Sequence, residues 1–231
     1  GFIGCNFVHD LIKSDDLMPV VLDKLTYAGS LSNLGEAKPS DYIFINGDIC
    51  DEKLVFSLFE EYKFASVFHF AAESHVDRSI EGPDEFINTN IIGTYTLLKS
   101  AYESWRNRGT SNHLFHHVST DEVYGSLTMD ATPFHEKTPY DPRSPYSASK
   151  ASSDHLVRAW HATYGLPVIV THCSNNYGPW QFPEKLIPLM IINCLDSKDL
   201  PVYGDGQNVR DWLYVDDHCS AIKTIYENGS V

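Results

Sequence analysis

Short apolar runs alternate with stretches of helical spacing along most of the chain. The apolar runs fall at 17–23 (LMPVVLD), 42–48 (YIFINGD), 65–72 (ASVFHFAA), 113–119 (HLFHHVS) and 167–173 (PVIVTHC). Between them, 2–14, 51–62, 84–106 and 146–164 carry apolar residues three and four apart, which places them on one helix face. Short apolar strands separated by helices are buried on both faces, so the pattern predicts an α/β fold with a doubly wound parallel sheet. A Pro-containing loop is expected at 123–145. Past residue 174 the rhythm changes. An Asn-, Gly- and Pro-rich loop (SNNYGPWQFPEK) precedes a helix at 184–197, then short strands around a Gly-rich turn and a last helix at 216–227. The expected organisation is a sheet domain over 1–174 and part of a smaller lobe over 175–231.

Composition narrows the partners. Among 231 residues, 17 Lys and Arg face 31 Asp and Glu, a net charge of −14 that repels nucleic acid and anionic membranes at long range. No apolar run approaches the roughly 20 residues that a membrane-crossing helix needs. The five cysteines are odd in number, widely spaced and without a CxxC pair, which fits reduced thiols in a cytoplasmic protein. His69, His75, His116, His117 and His172 lack ligand spacing, so no metal site is expected.

The N-terminal end reads as a nucleotide site. Gly1-x-x-Gly4 at the start of an amphipathic helix has the form of the second half of a phosphate loop, where the backbone approaches a pyrophosphate held by the helix N-terminus. Two glycines at a chain end are the alternative. Asp23 favours the first reading, because an acid about 20 residues on, at the end of the next strand, accepts adenosine ribose hydroxyls. A carboxylate there repels a 2′-phosphate, so NAD is favoured over NADP. Asp48, ending the following strand, is placed to meet the adenine or else to cap the helix after it. On this reading the domain is Rossmann-like, and its first strand and first loop glycine are missing from these residues. A chain of this length is then expected to be a fragment, since the first strand lies in the middle of such a sheet.

The chemistry sits further on, in Ser119-Thr120-Asp121-Glu122 and Tyr146-Ser147-Ala148-Ser149-Lys150. Tyr and Lys four apart share a helix face, and an ammonium beside a phenol lowers its pKa so that the phenolate can act as a base. YxxxK alone is weak; after a strand that ends in Ser-Thr, within a parallel α/β pattern, it is strong.

With these motifs the chain resembles the extended short-chain dehydrogenase/reductase family, and within it the nucleotide-sugar 4,6-dehydratases. The resemblance runs through DKLTYAG, FAAESHVDRS, NTNIIGT, STDEVYG, SPYSASKASSDH, SNNYGP, FPEKLIP and VYGDGQNVRDWLYVDD. The family's N-terminal strand and roughly its last third have no counterpart. The resemblance implies a lyase of deoxysugar biosynthesis that oxidises C4 of dTDP-glucose with bound NAD, eliminates water across C5–C6 and returns the hydride to C6. Asp121 is then the general acid and Glu122 the general base, two adjacent carboxyls whose environments must separate their pKa values. Tyr146 takes the 4-hydroxyl proton, Thr120 hydrogen-bonds O4, and Lys150 tunes Tyr146 and holds the nicotinamide ribose. By the same resemblance Phe2 and Ile3 line the pyrophosphate loop, and Asp23, Lys24, Leu25, Thr26, Asp48 and Ile49 surround the adenosine. Phe70, Ala71, Ala72 and Ser74 pass beneath the cofactor, Ser74 also near the sugar; Thr89 and Asn176 face NAD. Asn175 faces the substrate, and Lys185, Leu186, Pro201, Val202, Tyr203 and Arg210 match the grip on the nucleotide diphosphate, where Lys185 and Arg210 supply local cations. Helices 84–106 and 146–164 would pair in a homodimer.

The residues leave alternatives. A 4-epimerase or decarboxylase of the same fold has no need of acids after Thr120, and an inactive NAD-binding relative has no need of Tyr146 and Lys150. The base, thymidine or uridine, is not legible.

Overall fold

The computed structural model describes residues 1–13, 17–108, 113–128 and 130–229. In chain order its elements begin with helix α1 (Phe2–Leu11), strands β1 (Val20–Asp23) and β2 (Ile43–Asn46), helix α2 (Glu52–Tyr62) and strand β3 (Ser66–His69). Next come α3 (Val76–Glu81), α4 (Asp84–Phe86), a π-helical turn (Ile87–Gly93) and α5 (Thr94–Trp105). Strand β4 (Leu114–Thr120) leads through a 3₁₀ turn (Asp121–Tyr124) to α6 (Pro145–Tyr164) and β5 (Val168–Cys173). The chain closes with β6 (Asn175–Tyr177), α7 (Leu186–Leu195), β7 (Trp212–Tyr214) and α8 (Val215–Asn228).

Two compact units are formed. One comprises Gly1–Val21, Leu25–Ile45 and Ser174–Gly229; the other is built on Leu22–Lys24 and Asn46–Cys173. The cut after Cys173 falls where the rhythm of the sequence changes, but residues from the first 45 join the later lobe rather than the sheet. In that unit α1 buries Cys5 and Val8 with Leu34, against Ile12, Val21 and Tyr42, and it packs on α8. Strands β6 and β7 pair in parallel, Asn175 opposite Trp212 and Tyr177 opposite Tyr214. Helix α7, apolar almost throughout, buries none of its residues.

The other unit holds the parallel sheet β3-β4-β5. Every residue of β4 is buried, as befits the middle strand. Its register sets His69 opposite His117 and Thr120 opposite Cys173. Around it, Val55 and Phe59 of α2, Leu98, Ala101 and Trp105 of α5, Phe115 and Val157 form the core, and the Trp105 indole N–H donates to Phe64 O at 2.9 Å. Helix α2 starts at Asp51, whose carboxylate accepts the Lys53 and Leu54 amides, and stops at Lys63 in the left-handed region. Strands β1 and β2 form a separate two-stranded sheet.

Four of the five sequence-predicted strands lie inside their apolar runs, and β4 runs one residue past its own, to Thr120. Two expectations change. The stretch 84–106 is helical through Trp105, but Ile87–Gly93 within it is π-helical, and there the Asn90 side chain pairs with the Glu73 backbone in both directions, accepting its N–H at 2.9 Å and donating to its carbonyl at 3.0 Å. A π-helical turn accommodates that side chain. In PVYGDGQNVRDWLYVDD one strand forms, β7, and its partner β6 comes from the segment read as loop. Residues 14, 129, 230 and 231, at the end of the first predicted helix, in the predicted loop and in the lobe, lie outside the described residues.

Leu98, fully buried within this cluster, tests the core. Leu98→Ala should cost about 2–5 kcal/mol, a transfer loss plus an unfilled cavity. Urea denaturation checks it, and an unchanged midpoint would contradict the packing.

Candidate active site

The end of β4 presents Thr120, 8% exposed, followed at once by Asp121 and Glu122 in the 3₁₀ turn. The Thr120 hydroxyl accepts the Glu122 amide at 3.3 Å and reaches Asp121 Oδ1 at 3.4 Å, so one side chain fixes the start of the acidic pair. Gly125 closes the turn at φ +90°, where a Cβ would stand 2.7 Å from the Asp141 carbonyl oxygen. Only glycine tolerates both that dihedral and that approach. The Asp141 amide in turn donates to Val123 O at 2.9 Å, tying the following loop to the turn.

Helix α6 is started by a capping box between Ser144 and Ser147 with Pro145 in the first turn. This puts Tyr146 in that first turn, near the positive end of the helix dipole, which favours a phenolate. Lys150 lies one turn on, nearly fully buried, and its ammonium donates to the Val118 carbonyl of β4 at 2.9 Å. Burial, then the charges of Glu122 and Cys173, push the Tyr146 phenol well up, while its hydrogen bond with the Thr120 side chain pulls the other way. The net direction is opposite to the one expected from Lys150 alone, because a desolvated phenol facing carboxylates resists ionisation. Burial likewise lowers the Lys150 ammonium, and Asp154 supports its charge.

Behind Lys150 lies a group the sequence did not single out. Asp154 is fully buried on α6, and its Oδ2 accepts Ser119 Oγ at 2.9 Å and the Tyr140 hydroxyl at 3.0 Å. His172 Nε2 of β5 reaches the same oxygen at 3.0 Å, and His117 Nε2 of β4 stands 3.1 Å from Oδ1, off the line of a hydrogen bond. Burial and then Lys150 hold the His117 imidazole down at about 4. The spacing Tyr146, Lys150, Asp154 was the available signal, since residues four apart share a face.

At the nucleotide end, Asp23 closes β1, and its carbonyl accepts the Asn46 side chain at 3.1 Å and the Gly47 amide at 3.2 Å. Exposed Lys24 forms an ion pair with Asp48 at 2.7 Å, and the other Asp48 oxygen accepts the Cys50 amide at 2.9 Å. Burial pushes the Asp48 carboxyl up; Lys24 and the Cys50 amide outweigh it and leave it lowered. Ile49 is buried and fills the space a Gly93 side chain would need, 2.4 Å from an added Cβ. Phe70, Ala71 and Ala72 follow β3 half-buried, Ser74 is exposed, and Thr89 is half-buried on the π-helical turn.

The remaining expected residues belong to the other unit. Phe2 and Ile3 form the first turn of α1, and Leu25, at φ +53°, and Thr26 follow β1. Asn175 and Asn176 lie on β6; Asn176 is buried, with Oδ1 2.8 Å from His218 Nδ1 and Nδ2 donating to Ser174 O at 3.0 Å. His218, held down at about 4 by burial, was missed at the sequence level. Lys185 precedes α7, 3.9 Å from Glu184, and Leu186 is exposed. Pro201 is half-buried, whereas Val202, Tyr203 and Arg210 are exposed, with the Arg210 guanidinium donating to Val209 O at 2.8 Å.

A family model described as GDP-mannose 4,6 dehydratase matches residues 1–231. The chain belongs to this family. It is 54% identical over 241 residues to the dTDP-glucose 4,6-dehydratase of Salmonella typhimurium, covering 99% of this chain and 67% of that protein. The Xanthomonas campestris dTDP-glucose 4,6-dehydratase is 56% identical over 235 residues, covering 100% of this chain and 66% of the relative. The chain thus spans about two thirds of the length of these curated dehydratases. Among solved structures, the dTDP-glucose 4,6-dehydratase DesIV from Streptomyces venezuelae, with NAD and TYD bound, superposes with a TM-score of 0.92 at 47% identity, over 100% of this chain and 70% of that one. These likenesses bear out the α/β, Rossmann-like fold class and the dehydratase resemblance.

Within a family member of this kind, the depressed imidazoles make stability depend on pH. His117 and His218 titrate at about 4 when folded but near 6.5 when unfolded. Between those values only the unfolded chain takes up the protons, so their stabilisation is complete above 6.5 and is lost as pH falls toward 4. Urea midpoints should fall over that window, and His218→Asn should flatten the fall. A His218→Asn profile parallel to the parent would contradict it.

Proposed function

We propose that the protein is an NAD-dependent lyase that converts dTDP-glucose to dTDP-4-keto-6-deoxyglucose. The observation that carries this reading is the pair Asp121–Glu122 set directly after Thr120, with both carboxylates within electrostatic reach of the Tyr146 phenol. A base for the 4-hydroxyl and an acid–base pair for elimination therefore share one strand end. An epimerase on this fold uses the first and has no use for the second. The names of the curated relatives support the substrate.

The residues fit a dinucleotide on a feature of this structure. Among the described residues, Val118 O is the one acceptor that the buried Lys150 ammonium meets, so two of its three N–H donors remain for a ribose diol. Asp23 and the Lys24–Asp48 pair are proposed for the adenosine end with Leu25, Thr26 and Ile49; Phe70, Ala71, Ala72 and Ser74 are proposed to pass beneath the cofactor, Phe2 and Ile3 to line its pyrophosphate, and Thr89 and Asn176 to contact it. NAD, when bound, supplies a hydride acceptor for C4, a positive ring charge and the hydride later delivered to C6.

Tyr146 takes the proton of the 4-hydroxyl while Thr120 hydrogen-bonds O4. The phenol is held up by burial, so this transfer depends on positive potential from Lys150 and from the start of α6. The 4-ketone acidifies the C5 proton, which Glu122 removes, and Asp121 protonates the departing 6-hydroxyl. Asn175, Lys185, Leu186, Pro201, Val202, Tyr203 and Arg210 bind the sugar nucleotide. The same reading includes a homodimer through the helical stretch 84–106 and α6, supported by exposed Ile92, Tyr95 and Tyr164, and a cytoplasmic location, supported by five cysteines free of disulfides. Among the described residues no helix is long and apolar enough to cross a membrane.

Incubation with dTDP-glucose and NAD should yield a 4-keto-6-deoxy sugar, detected by its absorbance in alkali; a galactose product would refute the dehydratase. In a second test, Glu122→Gln should slow exchange of the C5 proton with solvent by about 10²-fold or more, the usual scale for a general base, with far less effect on C4 oxidation. Equal loss of both steps would overturn the assignment of Glu122.

A further inference from the structure

We propose that Asp154 is a positioning residue for this reaction, the buried counter-charge that keeps Lys150 an ammonium and anchors it against β4 beneath Tyr146. The inference deepens the dehydratase reading and rests on it for its catalytic meaning. Three residues four apart, Tyr146, Lys150 and Asp154, descend one face of α6, and all three are buried. The last two grip adjacent residues of the middle strand: Lys150 donates to Val118 O, and Asp154 accepts from Ser119 Oγ. Thr120 follows immediately, so these bonds join the helix bearing the base to the strand end bearing the acids.

A carboxylate with no solvent contact requires donors and a cation nearby. Ser119 and Tyr140 supply neutral hydroxyl donors, and His172 reaches Oδ2 as well. The group facing Oδ1 is His117, whose ring Lys150 and burial keep neutral above about 4. Lys150, one turn before Asp154 on the same helix face, is the buried ammonium of this cluster. Seen from Lys150, the surrounding groups are Tyr146 and Asp154 on α6, His69 on β3, His117 on β4 and Cys173 on β5, with Asp121 and Glu122 in the turn beside Tyr146. Asp154 is the fixed anion one helical turn beyond Lys150, on the side away from Tyr146. It supports the ammonium there, while Glu122 and Asp121 exert the repulsion on the phenol. Arg158, one turn further along α6, is exposed and adds its charge at the Tyr140 side of the network.

The test follows Lys150 directly. In the intact protein with isotope-labelled lysine, NMR titration of the Lys150 side chain, assigned by its loss in Lys150→Met, gives its midpoint. Asp154→Asn should lower that midpoint by about one unit or more, the usual effect of losing an opposite charge, and Asp154→Glu should restore it. An unmoved midpoint in Asp154→Asn overturns the proposal. Should Asp154→Asn not fold, the reciprocal arm decides: in Lys150→Met the Asp154 carboxyl midpoint must rise, because coupling between two sites is mutual. No rise overturns the proposal equally. In turnover, the basic limb of the kcat profile of Asp154→Asn should retreat to lower pH with KM unchanged; reduced amplitude with an unmoved profile marks a merely structural role and contradicts it. Absence of any 4-keto product from the parent protein would refute the dehydratase reading, while the two NMR arms still judge the charge coupling.

Discussion

The burial of two opposite charges on one face of α6 is the constraint from which the site follows. Lys150 and Asp154 have almost no solvent contact, so each must find its partners in protein. Both find them on consecutive residues of β4, Val118 and Ser119. A helix can meet a strand in many ways while its contacts are apolar, but two directional bonds one turn apart leave one register. That register brings the first turn of α6, with Tyr146, to the strand end that carries Thr120, Asp121 and Glu122. The hydroxyl and imidazole groups of Tyr140 and His172 add bonds from the following loop and from β5, so breaking the arrangement would leave buried donors unsatisfied as well as a charge.

The same burial has a chemical cost. Tyr146 is a poor base in this setting, pushed up by desolvation and by the carboxylates that the elimination requires. On the proposed reading, acid–base chemistry at C5 and C6 works against proton removal at the 4-hydroxyl, and the positive potential of Lys150, of the helix start and of a bound oxidised cofactor would have to offset it. This conflict explains why an acidic protein concentrates buried cationic charge at one point. It also separates the dehydratase from fold relatives that lack acids after the threonine.

Much of this was legible from residue order. The five strands showed as apolar runs, β4 most clearly because both its faces are covered, and YxxxK after a Ser-Thr strand end pointed to the residues for which the chemistry is proposed. Other features depend on partners distant in sequence. Asn90, on the π-helical turn, pairs with the backbone of Glu73. The polar triplet Asn175–Tyr177 is a strand only because β7 pairs with it. Asp154 sits in a run of serines before a histidine, which reads as a solvated helix face; its burial comes from Ser119, His117 and His172, brought in by the sheet. The Lys24–Asp48 bridge and the His218–Asn176 contact were hidden for the same reason.

The central claim is that one site oxidises C4, eliminates across C5–C6 and places the C4 hydride on C6. Turnover of dTDP-glucose carrying deuterium at C4 tests it most directly. The account predicts deuterium in the methyl group of the 4-keto-6-deoxy product. Deuterium retained at C4 of an epimerised sugar, or lost entirely to solvent, would contradict it.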